Sequence, residues 1–240
     1  MRLEHLAEID STNEEARRRA LAGERGPLWL RADVQTAGRG RRGRAWSSSS
    51  GNLFATGLYT LEEGAREAAQ LSFAAALSAA AVADAAGVSE ARLKWPNDVL
   101  VHGRKVSGLL LESGAAPGGG LWLAVGVGIN LAAHPDESER PATNLAAHGE
   151  RLSPERAVTI LAEAFEGWLM RWRTEGFAPI RQAWLARAHG LGERCEARLD
   201  GETVTGVFAD LGPDGALRLD LADGTRRHIS AGDVFFPDAS

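Results

Sequence analysis

The sequence predicts an α+β protein: a β-sheet with flanking helices, followed by a small β-barrel. Two observations predict this. Up to about residue 188, strand-like alternating runs are interleaved with helical segments that carry start and stop signals. From Glu193 the texture changes to short alternating runs broken by Asp-Gly pairs. A boundary near Gly190 follows, giving units of residues 1–189 and 190–240.

Each element has its own signal. Ser11-Thr12-Asn13-Glu14-Glu15 reads as a helix start, with Ser11 or Thr12 as cap and an acid three residues on; the helix stops near Gly23. Residues 28–35 alternate like a strand, and a Gly/Arg-rich loop covers 36–51. Residues 52–59 read as a second strand, and 65–86 as one long helix ended by Gly87. Short strand-like runs follow at 92–94, 99–102, 106–112 and 121–129, with a hairpin loop at 115–120. Ser153-Pro154-Glu155 combines a Ser cap, a first-turn Pro and a first-turn acid, and starts a helix running to about Thr174. A further helix is expected over 177–188. In the last segment, Asp200-Gly201, Asp214-Gly215 and Asp223-Gly224 are hairpin signals, so four or five short strands close into a small barrel.

Composition narrows the function. A chain of 240 residues with 44% hydrophobic and 25% charged residues is an ordinary globular protein. The net charge of −5 argues against a nucleic-acid-binding surface. A lone cysteine, Cys195, forms neither an internal disulfide nor a metal cluster and fits a reducing, cytoplasmic setting. The first ten residues hold no apolar run that would serve as a signal peptide. The apolar stretch 74–86 is short and interrupted by Ser78 and Asp84, so no membrane span is expected. Of 27 basic residues only Lys94 and Lys105 are lysines. Where charge alone would serve, this chain uses Arg. The two lysines therefore mark sites where a compact ammonium fits and a planar guanidinium does not.

Four motifs carry chemistry. In Gly38-Arg39-Gly40-Arg41-Arg42-Gly43-Arg44-Ala45-Trp46, four arginines repel one another and the glycines allow close approach to a ligand, so the loop should order poorly until an anion neutralises it. A triphosphate or an acyl phosphate would supply that anion; taken alone, the loop reads equally as such a ligand-closing segment or as a solvated basic loop or RNA-binding arm. Lys94-Trp95-Pro96-Asn97-Asp98 brings a cation, a carboxamide and a carboxylate together. Lys94 suits a phosphate, and Asp98 suits Mg²⁺ or a proton; the bland alternative is a strand-end turn. Gly103-Arg104-Lys105-Val106-Ser107-Gly108 opens a strand from which Lys105 could meet a carboxylate or an α-phosphate, or else forms a turn with an exposed Lys. Gly126-Val127-Gly128-Ile129-Asn130 lacks the third glycine of a dinucleotide fingerprint but could admit a flat base, or be a buried glycine-rich strand.

Together with Ser11-Thr12-Asn13, these pieces (STN, QTAGRGRRGRAW, KWPND, GRKVSGLLLE, GVGIN) resemble the biotin–protein ligase family in order and spacing. The resemblance covers nearly the whole chain. It implies a class II synthetase-like mixed β-sheet with flanking helices, followed by a small SH3-like barrel. It implies that ATP and biotin, with Mg²⁺, are converted to biotinyl-5′-AMP. It further implies that biotin passes to a lysine on a biotin carboxyl carrier protein domain. Carried onto this sequence, the biotin contacts are Ser11, Thr12, Asn13, Gln35, Arg39, Gly40, Arg41, Lys105 and Gly108. The nucleotide contacts are Arg39, Arg41, Arg44, Trp46, Lys94, Asn97 and Asn130. Lys105, Arg39, Lys94 and Asp98 are the catalytic candidates, with Asp98 also the metal candidate. Only ten residues precede Ser11, too few for the helix-turn-helix domain that opens some members, so no operator binding is expected. A homodimer through sheet edges is plausible for this fold. The rival expectations are a lipoate ligase and a non-enzymatic RNA-binding module.

Overall fold

The computed structural model describes residues 1–135 and 141–236. Among them, β1 (Arg2–Ile9), β2 (Leu28–Gln35), β3 (Leu53–Leu61), β4 (Arg92–Lys94), β5 (Asp98–Val101), β6 (Arg104–Ala115) and β7 (Leu121–Ile129) form one sheet in the order β1-β2-β3-β7-β6-β5-β4. β1 and β2 are parallel, which requires a crossover, and α1 (Thr12–Leu21) supplies it. The other neighbouring strands pair antiparallel, so the sheet is mixed.

Period-two alternation assigns the two faces. On β7, Leu123, Val125 and Val127 join the main core, while Trp122, Ala124, Gly126 and Gly128 point the other way. The main-core face is covered by α3 (Leu71–Ala85) and α4 (Pro154–Glu175), with α5 (Ala178–Ala186) beside them. The opposite face packs Ala16 and Ala20 of α1 on Leu28, Leu30, Leu58, Trp122 and Ala124. Beyond α1 the residue 36–51 loop lies over this second face, with Trp46 above Gly108 of β6 and Gly128 of β7.

The segment 65–86 is not one helix. A short α2 (Ala65–Ala68) precedes α3, and the junction is tightened by i→i+3 bonds from Gln70, Ser72 and Phe73 N–H to Glu67, Ala69 and Gln70 carbonyls. Gln70 uses its side chain to accept a 2.8 Å bond from Trp172 Nε1 of α4. By length and composition the helical stretch Ala65–Ala85 could cross a bilayer, yet Phe73, Ala76, Ala80 and Ala83 of α3 are buried in the core. Ser153 caps α4 as expected, its hydroxyl accepting from Arg156 N–H at 3.3 Å. Ser11 occupies the cap position of α1 but makes no side-chain cap bond. Its hydroxyl is instead buried at the cavity wall. β1 was not expected: it is an edge strand, largely exposed, without a clean apolar alternation.

β8 (Arg194–Arg198), β9 (Thr203–Leu211), β10 (Leu217–Asp220), β11 (Arg226–Ile229) and β12 (Asp233–Phe235) form a second, antiparallel sheet in the order β11-β10-β9-β8-β12. Each of the three Asp-Gly pairs lies at a turn with its glycine at positive φ. Asp214 and Asp223 accept from the backbone N–H two residues on, at 3.1 and 2.9 Å, which is why Asp precedes Gly there. Cys195, Phe208, Leu217 and Val234 extend the main core without a break, and Phe208 meets Trp184 of α5. β12 thereby lies at the edge of the second sheet, where its first residue, Asp233, reaches the cavity of the first.

Candidate active site

A cavity of about 560 Å³ opens on the α1 side of the large sheet. Its floor is glycine by necessity. A Cβ on Gly128 would stand 2.5 Å from the Trp46 indole, and one on Gly108 would stand 2.7 Å from it. Trp46 therefore lies across two bare strands. Its ring is also 5.4 Å from the Lys105 ammonium. The indole Nε1 is buried without a hydrogen-bond partner.

One end of the cavity is neutral and polar. Ser11, Thr12 and Asn13 start α1 there, and Gln35 ends β2 beside them. Gln35 Oε1 lies 2.8 Å from Thr12 N–H and 3.0 Å from its hydroxyl. The Asn13 amide donates to Leu110 O at 3.1 Å and to Glu112 at 2.8 Å.

The other end is cationic. The basic loop folds as a hairpin in which Gly40 N–H donates to Arg44 O at 2.7 Å and Trp46 N–H to Gly38 O at 2.9 Å. Arg42 takes a left-handed backbone at its tip. The expectation of a loop waiting for an external anion needs correction, because the chain supplies anions of its own. Arg39 meets Glu14 at 3.0 Å and Glu112 at 3.9 Å. Arg44, Arg42 and Arg41 converge on Asp233 at 2.5, 3.6 and 3.9 Å, and Arg42 also reaches Asp200. Burial lowers the basicity of Arg41, with the Asp233 carboxylate acting against it. The guanidiniums of Arg17 and Arg39 hold the Glu14 carboxyl below its ordinary range.

Between the two ends, Lys105 Nζ lies 2.5 Å from Asp98 Oδ1, and Asp98 is buried. Asn97 donates to Leu109 O at 2.7 Å and accepts from Arg41 at 3.3 Å. Asn130 donates to Thr143 O at 3.0 Å. The lining carries Arg39, Arg41, Arg44 and Lys105 against Asp98 and Asp233, so it retains positive charge for an anionic ligand. Asp98 stands against Lys105 rather than in a carboxylate group. Among the described residues no cluster of three or more His, Cys, Asp or Glu could hold a metal. These residues fit a magnesium ion carried by a phosphate chain better than one held by the protein.

The cavity gathers every expected site residue except Lys94. That residue is not among the lining: its ammonium lies 5.7 and 6.0 Å from the rings of Phe235, the last residue of β12, and Phe236 just after it. Sequence reading missed Asp233, Glu112, Phe54 and Thr56. A balance of charge gave one available signal: a tetra-arginine loop folded into a hairpin needs carboxylates near it, though not which ones.

Residues 8–130 match the model of the biotin/lipoate A/B protein ligase family, and residues 190–236 match the biotin protein ligase C terminal domain. The chain is 45% identical over 239 residues to a biotin–[acetyl-CoA-carboxylase] ligase of Paracoccus denitrificans, covering 96% of this chain and 99% of that one. It is 33% identical to the enzyme of that name from Mycobacterium tuberculosis, covering 97% and 88%. Biotin protein ligase from Aquifex aeolicus, solved in complex with biotin and ATP, superposes with a TM-score of 0.84 at 28% identity over 98% of both chains.

Proposed function

This chain belongs to the biotin/lipoate A/B protein ligase family, as a biotin protein ligase, and on that premise we propose that it adenylates biotin with ATP and transfers the biotinyl group to a lysine of a biotin carboxyl carrier protein domain. In the first step a biotin carboxylate oxygen attacks the α-phosphorus and pyrophosphate leaves, giving biotinyl-5′-AMP. In the second the acceptor amine attacks the acyl carbon, AMP leaves, and an amide forms.

The observation that carries this reading is the polarity of the cavity, neutral at Ser11, Thr12, Asn13 and Gln35 and cationic at Lys105, Arg39, Arg41 and Arg44. The neutral end suits a cyclic urea. The cationic end suits a carboxylate and a phosphate, two anions that repel unless positive charge stands between them. Lys105, Arg39 and Arg41 are assigned to the reacting carboxylate and α-phosphate, with Gly40 and Gly108 giving close backbone approach. Arg44, Trp46, Asn97 and Asn130 are assigned to the nucleotide. Asp98 holds Lys105 in place and is the carboxylate available to accept the proton of the incoming amine. Mg²⁺ belongs in this scheme as the counter-ion of the triphosphate. Lys94 has no contact role in it. The chemistry resides in residues 1–189, and residues 190–240 contribute Asp233.

A paired homodimer and a cytoplasmic setting remain part of this proposal; sedimentation and fractionation test them. The deciding experiment is transfer of labelled biotin, against labelled lipoate, to a purified biotin carboxyl carrier domain. Biotin should be incorporated and lipoate should not. Equal incorporation of both would contradict the reading.

A further inference from the structure

Lys94, which the cavity leaves out, belongs to a stretch that faces two ways. Asn97 and Asp98 line the cavity. Lys94 and Trp95, just before them, are turned to the second sheet. Trp95 is buried, and its Nε1 donates to Gly215 O at 3.2 Å. The Lys94 ammonium lies within 6.0 Å of the Phe235 and Phe236 rings. β4 is tied at the same place to the chain that leads into the second sheet: Leu93 N–H donates to Arg187 O at 2.8 Å, and His189 N–H donates to Leu93 O at 2.9 Å. Phe236 is seated there, edge to face with the His189 ring at 4.9 Å and over Gly190, where a Cβ would collide with it.

This cluster anchors β12. That strand has three residues, stands at the edge of its sheet and pairs with β8 alone. So short a one-sided ladder frays easily unless side chains tie it down. Val234 is buried on one face, so Asp233 and Phe235 share the other by period two. Asp233 meets the loop arginines, and Phe235 meets cations of its own. Arg198, the register partner of Asp233 on β8, stands 4.0 Å from the Phe235 ring centroid. Arg198 belongs to the same sheet and moves with β12. Lys94 reaches the ring from the sheet that carries the cavity, so its contact ties one sheet to the other.

We propose that Lys94 is a positioning residue: its cation–aromatic contact with Phe235 and Phe236 sets β12 so that Asp233 stands where Arg41, Arg42 and Arg44 converge. Its consequence for catalysis rests on the ligase reading above, which assigns that loop to the α-phosphate and the nucleotide. The two lysines of this chain then differ in kind. Lys105 sets a compact ammonium against a buried carboxylate, where a planar fork does not fit. Lys94 sets a cation over rings, a task a guanidinium also performs, because it stacks on aromatic faces.

The test is tryptic cleavage within residues 39–44 of the full chain without ligand, with thermal melts as a check on folding. Lys94→Met keeps the stem and removes the charge, and cleavage should speed up about threefold. Phe235→Leu removes the ring, should act alike, and carries the test if the methionine variant does not fold. Lys94→Arg should stay within about twofold of the parent. Lys94→Met added to Asp233→Asn should be cleaved no faster than Asp233→Asn alone, because both act through one contact. Parental cleavage in Lys94→Met, an arginine variant as impaired as the methionine one, or a double variant in which the two effects multiply would overturn the proposal. A Lys94→Met enzyme whose KM for ATP rises while its ligand-free cleavage stays parental would make Lys94 a nucleotide contact instead. A parent enzyme without biotin-dependent pyrophosphate exchange would overturn the functional reading, and the ligand-free cleavage rates would still decide the role of Lys94.

Discussion

The two ends of the cavity are built on opposite terms. At the neutral end, Thr12, Asn13, Gln35 and Thr56 are tied by short bonds among themselves and to the strand backbone, and three of the four are buried. At the cationic end, Arg39, Arg41, Arg42 and Arg44 are held by ion pairs to Glu14 of α1, Glu112 of β6, Asp200 of the β8–β9 turn and Asp233 of β12. A buried hydrogen-bonded wall cannot re-form around a different ring without leaving polar groups unpaired. A half-exposed ion pair can exchange one carboxylate for a phosphate at little cost. The ring end is thus set before ligand arrives, while the phosphate end is held by substitutes for the ligand's own charge.

The largest effect should come from the residue between the ends. Lys105→Arg keeps the charge but puts a planar fork where a compact ammonium pairs with the buried Asp98. Biotin-dependent exchange should fall by roughly 10²-fold, the scale of losing one electrostatic contact in a transition state. A near-parental rate would show that charge alone is enough there. Next, Asp233→Asn removes the carboxylate shared by three loop arginines. Tryptic cleavage within residues 39–44 should speed up by roughly fivefold without ligand, as expected for about 1 kcal/mol of half-exposed ion pairing. Biotin and ATP together should reverse the difference. If cleavage does not change, Asp233 does not hold the loop.

A smaller effect is expected at the floor. Gly128→Ala sets a Cβ against the Trp46 indole and should raise the KM for ATP by about three- to tenfold while sparing that for biotin. A rise in the biotin KM alone would place Trp46 at the wrong end. The smallest is a pH effect. The Glu14 carboxyl is lowered from 4.5 by Arg17 and, behind it, Arg39, so its contribution to stability is present above that value and fades as pH falls through the folded-state value. Glu14→Gln should therefore lower Tm slightly at pH 7 and converge with the parent once the pH lies below that folded-state value. An equal gap at both pH values would remove Glu14 from the loop's support.

The strands beneath the cavity were largely legible in the sequence, because their signals are local, whereas the neutral end, Ser11, Thr12, Asn13 and Gln35, was reached only through the family resemblance. The alternation over 121–129 marks β7, and the glycines at 126 and 128 fall on its cavity face by period two. Ser153-Pro154 and the three Asp-Gly turns are likewise read within a few residues. What was not legible depends on distance along the chain. Asp233 is 189 residues from Arg44, and nothing in its neighbourhood marks it as that partner. β1 gains its strand from pairing with β2 rather than from its own pattern. Lys94 was singled out as one of two lysines, but the rings it lies against, Phe235 at the end of β12 and Phe236 after it, are about 140 residues away along the chain.

The central claim is that this cavity brings a carboxylate and an α-phosphate together between a preset ring site and a charge-balanced loop. Incorporation of labelled pyrophosphate into ATP, measured with magnesium and with or without biotin, tests it directly. Exchange should require biotin and should fall when Lys105 is replaced by Arg. Exchange that proceeds equally without biotin, or that never occurs, would contradict it.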